Sequence, residues 1–299
     1  MPCFKPLLAW RSNSRNVYGK IPMVFSLEKG IPGTEIELPC GQCAGCRLDY
    51  ARQWAIRCCH EAHLHHDNCF LTLTYRDIPE NGSLQPKHMQ DFLKRLRKSI
   101  EPKKIRFFQC GEYGDSTSRP HHHMLLFNHR FDDMLIIRRG DYPLFNSATL
   151  DQLWGHGFCS IGELNFDTAC YCARYILKKI TGEPAADHYS GRKPEYTTMS
   201  RRPGIGRGFY DLYPGDIYNF DRVVVTDQFL CKPPKFYDKL FEVDQPEKFQ
   251  QIKEERRRKA IENTENTPER RKIKKELTSI RQKQISRNYE DEKNNLHSF

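Results

Sequence analysis

The sequence lacks any apolar stretch that approaches the roughly 18 residues needed by a membrane-spanning helix. Residues 1–15 also lack the apolar run and the small-residue cleavage site of a secretory signal peptide. Both absences predict a protein of the cytoplasm without a membrane partner. Because a reducing cytosol does not maintain structural disulfides, the 12 cysteines are predicted to be thiols or metal ligands.

A nucleotide-binding loop is missing as well, since the pattern Gly-x-x-x-x-Gly-Lys-Ser/Thr does not occur. The chain is therefore expected to contain no helicase of its own. Internal repeats are also absent. A function that needs unwound DNA would have to obtain it from a separate helicase.

Basic residues are in excess, with 48 Lys and Arg against 38 Asp and Glu, which gives a net charge of +10. Such an excess attracts polyanions through long-range electrostatics and counterion release. Hydrophobic residues make up 38% of the chain and aromatic residues 12%, enough to bury a folded core. Nucleic acid is thus the leading partner, although basic proteins also include merely soluble ones, so a motif has to support it.

Periodicity predicts an α+β core with antiparallel strands rather than a doubly wound sheet. Residues 69–75 alternate large apolar side chains with threonines, as a half-buried strand does. Residues 89–96 place apolar side chains at helical spacing. Strands at 105–110 and 121–127, joined by a polar link, are predicted to pair as a hairpin. The other predicted core elements are a helix over 47–65, a strand over 158–164 and a helix over 167–180.

From about residue 245 the chain carries both charge signs and few apolar residues, which is typical of a solvent-facing helical tail. Pro268 is predicted to break this tail into two helices. The second helix has only the thin apolar stripe Ile273, Leu277 and Ile280. The predicted division is a cysteine-rich segment with a helix (1–66), a core domain with a basic loop (67–244) and a charged helical tail (245–299).

Two histidines carry the first chemical signal. His121 and His123 alternate on a predicted strand, so both imidazoles point to one face of the sheet and His122 to the other. Neutral imidazoles bind divalent metals, and Glu112, at the end of the paired strand, offers an oxygen ligand. The alternative for an isolated His-x-His pattern is a surface cluster with no ligand role.

Two tyrosines carry the second signal. Tyr171 and Tyr175 lie four residues apart on the helix that follows the sheet, so their phenols share one helix face. Each is followed three residues later by a cation, Arg174 and Lys178, and a nearby positive charge favours the phenolate. Without the histidines, two tyrosines on a helix would more often be packing residues.

The order of Phe70–Thr74, then Pro120–His123, then Tyr171 to Lys178 resembles the three motifs of HUH rolling-circle replication initiators. Residues 39–47, 111–114 and 199–206 extend the likeness. With them the chain resembles, over residues 1–210, the replication initiators of gokushoviruses, single-stranded DNA phages of the Microviridae. The resemblance implies an HUH endonuclease core with flanking helices, and the cysteine spacing before that core suggests a segment like a zinc knuckle.

The resemblance also implies the chemistry. His121 and His123 would bind Mg²⁺ or Mn²⁺, with Glu112 at the position of the acidic third ligand. Tyr171 and Tyr175 would be nucleophiles of a site-specific single-stranded DNA endonuclease and strand transferase, which forms a 5′-phosphotyrosine link and frees a 3′-hydroxyl primer at a circular DNA origin. Host helicase and DNA polymerase are the implied partners, and the bacterial host cytoplasm is the implied location.

A cysteine cluster suggests a second metal. Cys40, Cys43 and Cys46 form two overlapping Cys-x-x-Cys pairs, and Cys3 would complete a tetrahedral structural zinc site. The alternatives are unliganded thiols or an iron–sulfur cluster. The fourth ligand is open, because the neighbouring cysteines of the next helix are also candidates, namely Cys58 and Cys59.

A basic loop at residues 204–208 is the remaining candidate. Its glycines could let the backbone approach a DNA phosphate, with Arg201, Arg202 and Arg207 beside it, or it could be a plain basic loop. The histidines at residues 60–66 are expected to be solvated surface.

Two rival functions fit the same residues. One is a related HUH enzyme, either a plasmid relaxase or a single-strand transposase, which acts on a different DNA substrate. The other is a non-catalytic zinc-containing nucleic-acid-binding protein, which would form no covalent link to DNA.

Overall fold

The computed structural model describes residues 3–114, 117–174, 180, 182–226 and 229–295, with side chains for all of these except residues 226 and 282–295. Over these residues the fold is α+β, with antiparallel sheets and ten helices, which confirms the predicted class. Within the same ranges, no helix is both long and apolar enough to span a membrane. Contacts divide the chain into a larger unit, residues 51–252, and a smaller unit, residues 1–50 with 253–299.

The larger unit is built on a seven-stranded sheet in the order β10-β5-β6-β4-β9-β8-β7, with every neighbouring pair antiparallel. The central hairpin pairs β5 with β6, as the sequence predicts. The strands of this sheet are β4 (Asn68–Thr74), β5 (Arg106–Tyr113), β6 (Pro120–Phe127), β7 (Leu135–Arg138), β8 (Leu144–Asn146), β9 (Cys159–Gly162) and β10 (Tyr196–Met199).

Helices cover both faces of the sheet. One face packs against α2 (Pro86–Ser99) and α3 (Ala148–Trp154), and the other against α1 (Ala44–His63) and α4 (Phe166–Arg174). A third apolar cluster joins α1 to the last helices of the unit and to a two-stranded sheet. The other elements of the larger unit are α5 (Pro184–Tyr189), α6 (Arg207–Leu212), α7 (Pro214–Asn219), β11 (Val223–Thr226), β12 (Phe229–Cys231) and α8 (Lys235–Asp244), of which α5 lies outside this cluster.

Strand β4 shows how the sequence pattern selects the two faces. Its odd-numbered residues, Cys69, Leu71 and Leu73, are fully buried under α2 and α3. Its even-numbered residues, Phe70, Thr72 and Thr74, lie on the opposite face. Because side chains alternate along a strand, this pattern leaves polar threonines beside the histidines of β6.

Helix α2 follows the predicted apolar face. Met89, Phe92, Leu93 and Leu96 are all buried against the sheet. Burying one such side chain contributes roughly 1.5–3 kcal/mol. The helix begins at Pro86, whose fixed φ and missing N–H suit the first helical position.

Helix α4 begins with a reciprocal cap. The backbone N–H of Thr168 donates to Asn165 Oδ1, and the N–H of Asn165 donates to Thr168 Oγ1, both at 2.9 Å. Ala169, Cys172 and Ala173 are buried on the sheet, so the small side chains let the helix approach it closely. The predicted helix extends further, to residue 180, but residues 175–179 lie outside the described residues, and with them Tyr175 and Lys178.

The smaller unit contains a three-stranded antiparallel sheet in the order β2-β1-β3. Pro268 begins α10, so the predicted break in the tail is confirmed. Arg271 of α10 donates from Nη1 to Glu37 Oε1 of β3 at 2.9 Å. The elements are β1 (Leu7–Arg11), β2 (Met23–Val24), β3 (Ile36–Leu38), α9 (Pro246–Glu262) and α10 (Pro268–Asn295), with residues 253–262 of α9 and the start of α1 belonging to this unit.

Candidate active site

Strand register brings three metal-ligating side chains together. In the β5–β6 hairpin, Glu112 lies opposite His121, and Cys110 lies opposite His123. Residues directly opposite in an antiparallel pair share a face, so Glu112, His121 and His123 project from the same side of the sheet. This is the side covered by α1 and α4.

One carboxylate oxygen lies between the two imidazoles. Glu112 Oε1 is 2.6 Å from His121 Nε2 and 3.0 Å from His123 Nε2. Glu112 is only 2% exposed. The three ligand atoms all lie within 4.8 Å of one another, which is close enough to share one metal ion.

The second nitrogen of each histidine is held by a different group. His121 Nδ1 lies 3.1 Å from the carbonyl oxygen of Arg119, to which an Nδ1–H donates. His123 Nδ1 lies 3.1 Å from Thr72 Oγ1. Such outer contacts fix the ring orientation of metal-binding histidines and direct Nε2 toward the ion. Both rings are therefore oriented in the way that a metal site requires.

The charge of the site is set by Glu112. Burial would raise the pKa of this carboxyl, but hydrogen bonds from His121 and His123, together with their charge, lower its pKa to about 2. A carboxylate with two imidazoles suits a divalent cation and supplies three ligands. Octahedral ions such as Mg²⁺ or Mn²⁺ would keep further coordination positions for a phosphate.

Tyr171 stands over this group. Its hydroxyl lies 3.5 Å from Glu112 Oε1, and its ring packs edge-on against His123 with centroids 5.0 Å apart. Phe70 lies parallel to the His123 ring at 5.4 Å and edge-on to Tyr171 at 6.2 Å. The described part of α4 therefore brings the first predicted nucleophile to the predicted metal ligands. Arg174, one turn later, is exposed.

The four predicted cysteine ligands form a separate cluster in the smaller unit. The sulfur atoms of Cys3, Cys40, Cys43 and Cys46 all lie within 4.8 Å of one another. Cys3 Sγ is 3.6 Å from Cys40 Sγ and 3.9 Å from Cys43 Sγ. Cys3 thus occupies the fourth position, whereas Cys58 and Cys59 belong to the core of the larger unit.

Backbone N–H groups point at these sulfurs. Phe4 N donates to Cys43 Sγ, and Cys40 N donates to Cys3 Sγ, both at 3.3 Å. Burial raises the pKa of the Cys43 thiol, but hydrogen bonds from the Phe4 and Cys46 N–H groups and from the Cys40 and Cys46 thiols lower it to about 6. Burial and the neighbouring thiols of Cys3 and Cys43 raise the pKa of Cys46 to about 12. One thiolate forms readily and the next resists a second negative charge, a resistance that a bound dication removes.

Comparison with known proteins identifies the family. The family model described as replication-associated protein ORF2/G2P matches residues 68–180. The replication-associated protein VP4 of Bdellovibrio phage phiMH2K is 32% identical over 261 residues, which are 83% of this chain and 80% of that protein. The chain belongs to the replication-associated proteins of Microviridae phages. The resemblance that its motifs indicate is therefore confirmed.

Two further relatives agree. The replication-associated protein ORF2 of Spiroplasma virus 4 is 34% identical over 242 residues, covering 75% of this chain and 74% of its own. The replication-associated protein ORF4 of Chlamydia phage 1 is 29% identical over 214 residues, covering 68% and 53%. No solved structure matches the chain. The family assignment thus gives a role in DNA replication, and residues 68–180 contain the Glu112, His121, His123 and Tyr171 group.

In this replication-associated protein, the basic loop packs onto α1. Gly206 has a φ of +76°, and its N–H donates to Glu61 Oε2 at 2.7 Å. A Cβ at this position would lie 2.5 Å from the Tyr237 hydroxyl, which explains the glycine by close packing. Arg201 and Arg202 are exposed, whereas Arg207 forms an ion pair with Asp211 at 2.6 Å.

One expectation is wrong. His60 is not solvated surface, because it is 4% exposed and its ring stacks on Phe209 at 3.8 Å. His60 Nδ1 lies 3.0 Å from the Tyr237 hydroxyl, and Nε2 lies 3.2 Å from the carbonyl of Val224. Burial lowers the pKa of His60 to about 4. The histidine is a core residue, because α6–α8 and the β11–β12 pair cover this side of α1.

The sequence pattern predicts no role for His122, which lies on the opposite face of β6 from the predicted metal ligands. His122 is fully buried, and its Nε2 lies 3.1 Å from the Tyr75 hydroxyl, which also lies 3.1 Å from His88 Nδ1. Tyr196 Oη lies 3.4 Å from His122 Nδ1. This polar network anchors β6 on the face opposite the metal ligands. The only sequence signal for it is a histidine on the apolar face of a central strand.

Proposed function

We propose that the protein initiates rolling-circle DNA replication by nicking and rejoining single-stranded origin DNA through a metal-assisted tyrosine nucleophile. The observation that carries the proposal is the 3.5 Å contact of the Tyr171 hydroxyl with Glu112 Oε1, the atom that both histidines approach. A phenol beside a three-ligand metal set suits metal-assisted cleavage of a phosphodiester by tyrosine.

Glu112, His121 and His123 would hold Mg²⁺ or Mn²⁺, which when bound would polarise the phosphate and offset its negative charge. Thr72 and the Arg119 carbonyl would keep the two rings directed at the ion. Phe70 and α4 would limit the movement of Tyr171. The chain's own contribution is thus the placement of the phenol relative to the phosphate.

In the cleavage step, Tyr171 Oη loses its proton and forms a bond to phosphorus, and the bond from phosphorus to the 3′ oxygen breaks. The 3′ oxygen takes up a proton and becomes a hydroxyl that can prime synthesis, while the 5′ phosphate stays on the tyrosine. Rejoining is the reverse attack of a 3′ hydroxyl on the phosphotyrosine. One phosphodiester replaces another in each direction, so no ATP is needed.

Tyr175 would be the other nucleophile: one of the two tyrosines would cut the origin and the second would act when the origin is regenerated, as the family motif implies. Arg174 and Lys178 would favour the phenolates and steady the phosphate. Tyr175 and Lys178 lie outside the described residues, so their roles rest on their spacing from Tyr171 and Arg174 along the sequence.

The proposal includes an HUH endonuclease core within residues 67–244, supported by the His-x-His pair on a central antiparallel strand beneath a tyrosine-bearing helix. Residues 1–66 and 245–299 would be the cysteine-rich segment and the charged tail. We also propose that the protein works in the host cytoplasm with host helicase and polymerase, which the missing nucleotide-binding loop implies. Arg201 and Arg202 would contact DNA phosphates, and Arg207 would do so by leaving Asp211.

The cysteine cluster would hold a structural Zn²⁺. A tetrahedral site with Zn–S bonds of about 2.3 Å places its sulfurs about 3.8 Å apart. The Cys3 Sγ distances of 3.6 and 3.9 Å fit this value. Four sulfur ligands leave no open position, so this metal would hold the smaller unit together rather than take part in catalysis.

The test is a denaturant-resistant protein–DNA adduct. The protein is incubated with Mn²⁺ and labelled single-stranded DNA containing the phage origin, as wild type, Tyr171→Phe, Tyr175→Phe and the double variant. Tyr189→Phe, a tyrosine outside α4, is the matched control. We expect an adduct in wild type and in the control, and none in the double variant.

The other outcomes separate the rival functions. Tight DNA binding without any adduct would reject the proposal in favour of a non-catalytic nucleic-acid-binding protein. The protein could also form an adduct on oligonucleotides but fail to release circular single strands from a circular template. That result would indicate a relaxase or transposase instead.

A further inference from the structure

A row of side chains extends from the candidate metal site across the sheet. Register pairs Glu112 with His121 and His121 with Thr74. The pairing continues to Phe158, because the Thr74 N–H donates to the Phe158 carbonyl at 3.0 Å, one residue beyond the Leu73–Cys159 pair. Residues opposite one another share a face, so Phe158 lies on the same face as the three ligands.

Phe158 is exposed although its backbone is fixed. The side chain is 65% exposed. Its carbonyl accepts both the Thr74 N–H and the Thr74 hydroxyl, the latter at 2.7 Å. At Gly157 a Cβ would lie 2.4 Å from the Arg76 nitrogen, so the segment before β9 and the segment after β4 are in close contact there. A large apolar ring is thus presented to solvent from a rigid strand end, which costs little ordering when a ligand binds.

One arginine lies beside the ring, and a second contacts the backbone just after β4. The guanidinium carbon of Arg76 lies 5.5 Å from the Phe158 ring centroid. Arg119 Nη2 donates to the carbonyls of Tyr75 and Arg76 at 2.8 and 3.1 Å, and the Arg119 carbonyl faces His121. Both arginines are exposed, so their positive charges near the end of β4 are accessible to a DNA phosphate.

We propose that Phe158 is a stacking platform for a base of the single-stranded DNA, with Arg76 and Arg119 on the adjoining phosphates. The proposal rests on the proposed function and adds the surface that receives the strand. An exposed aromatic ring with neighbouring cations is the combination that binds single strands without sequence preference, because every base has a π-face. Two strand spacings, about 10 Å, separate Phe158 from His121, so the base belongs to a nucleotide close to the scissile phosphate.

The test compares two DNA probes by fluorescence anisotropy on the full-length chain: a labelled 20-nucleotide thymidine strand and a 20-nucleotide abasic strand with the same backbone. Phe158→Ala should weaken binding of the thymidine strand by roughly 5- to 150-fold. Phe158→Leu should behave like Phe158→Ala, and Phe158→Trp should keep wild-type affinity. On the abasic strand, all four proteins should bind alike.

Phe220 provides a matched control. It is 64% exposed, and the guanidinium carbon of Arg222 lies 5.2 Å from its ring, but it lies outside the seven-stranded sheet. Phe220→Ala should change binding of the thymidine strand less than twofold. Arg76→Gln should weaken both probes and reduce the slope of log affinity against log salt by about one.

The platform is wrong if Phe158→Ala stays within twofold of wild type on the thymidine strand, or if it weakens both probes equally. Either result leaves the nicking proposal intact as long as wild type forms its adduct. Conversely, base-dependent loss in Phe158→Ala without any adduct in wild type would support the platform and reject nicking. Thermal unfolding of each variant checks that the exposed substitution leaves the fold unchanged.

Discussion

The two groups of metal-ligating side chains in the described part of the chain are built in opposite ways. The cysteine group offers four sulfurs and backbone N–H donors that point at them. The group on the sheet offers one carboxylate and two imidazoles, and its fourth neighbour is a phenol. A site with four protein ligands is closed, whereas three ligands leave positions for a substrate.

The difference extends to what holds each group. The cysteines come from two short segments, residue 3 and residues 40–46, so bringing them together closes a loop that a metal would stabilise. Glu112, His121 and His123 are fixed by the register of a seven-stranded sheet with apolar packing on both sides. The sheet would therefore form without its metal, and the cysteine segment would need one.

Replacing a cysteine ligand is expected to have the largest effect. Cys43→Ser should remove bound zinc and destabilise the smaller unit by several kcal/mol, because metal binding supplies the folding energy of such segments. Zinc content by atomic emission and limited proteolysis of residues 1–50 would measure both consequences. Cys231→Ser, a half-buried thiol outside the cluster, should retain zinc and protease resistance. Full zinc content in Cys43→Ser would mean that the two groups do not differ in this way.

Loss of a metal ligand on the sheet should strongly reduce activity and only slightly reduce stability. His121→Ala should reduce adduct formation at least about a hundredfold, since even outer partners of metal ligands account for 10- to 100-fold. It should cost no more than about 2 kcal/mol of stability, because one hydrogen bond to Glu112 is lost while that from His123 remains. Adduct yield and thermal unfolding, each with EDTA and after Mn²⁺ is restored, would measure the two effects. Normal adduct formation by His121→Ala would remove this group from catalysis.

The sheet group could be predicted from the sequence because its parts obey short-range rules. Alternation along β6 separates His121 and His123 from His122, and the hairpin register brings Glu112 opposite His121. Helical spacing likewise predicts which face of α2 is buried, and the structure confirms it. These inferences need only local periodicity and one strand pairing.

The elements that the sequence did not reveal depend on distant partners. The short strands β7, β8 and β10 contain only three or four residues each, too few for a periodic signal. His60 looked like part of a polar cluster because its neighbours are histidines, but it is buried by α6–α8, which include Tyr237, 177 residues further along the chain. The platform at Phe158 was equally hidden, because its place beside Thr74 follows from the β4–β9 pairing and not from nearby residues.

The smallest expected effect tests whether the Thr72 hydroxyl orients the imidazole of His123. Thr72→Val keeps the shape of the side chain and removes the oxygen that lies 3.1 Å from His123 Nδ1. The ring would lose its outer contact but keep its packing on Phe70, so adduct formation should fall about tenfold and the Mn²⁺ concentration for half-maximal activity should rise. Thr198→Val, on the edge strand β10 away from the ligands, is the control and should leave both values unchanged. A Thr72→Ser variant should recover most of the loss. If Thr72→Val and Thr72→Ser behave alike, then packing rather than the hydroxyl orients His123, and the open site would be held by the sheet alone.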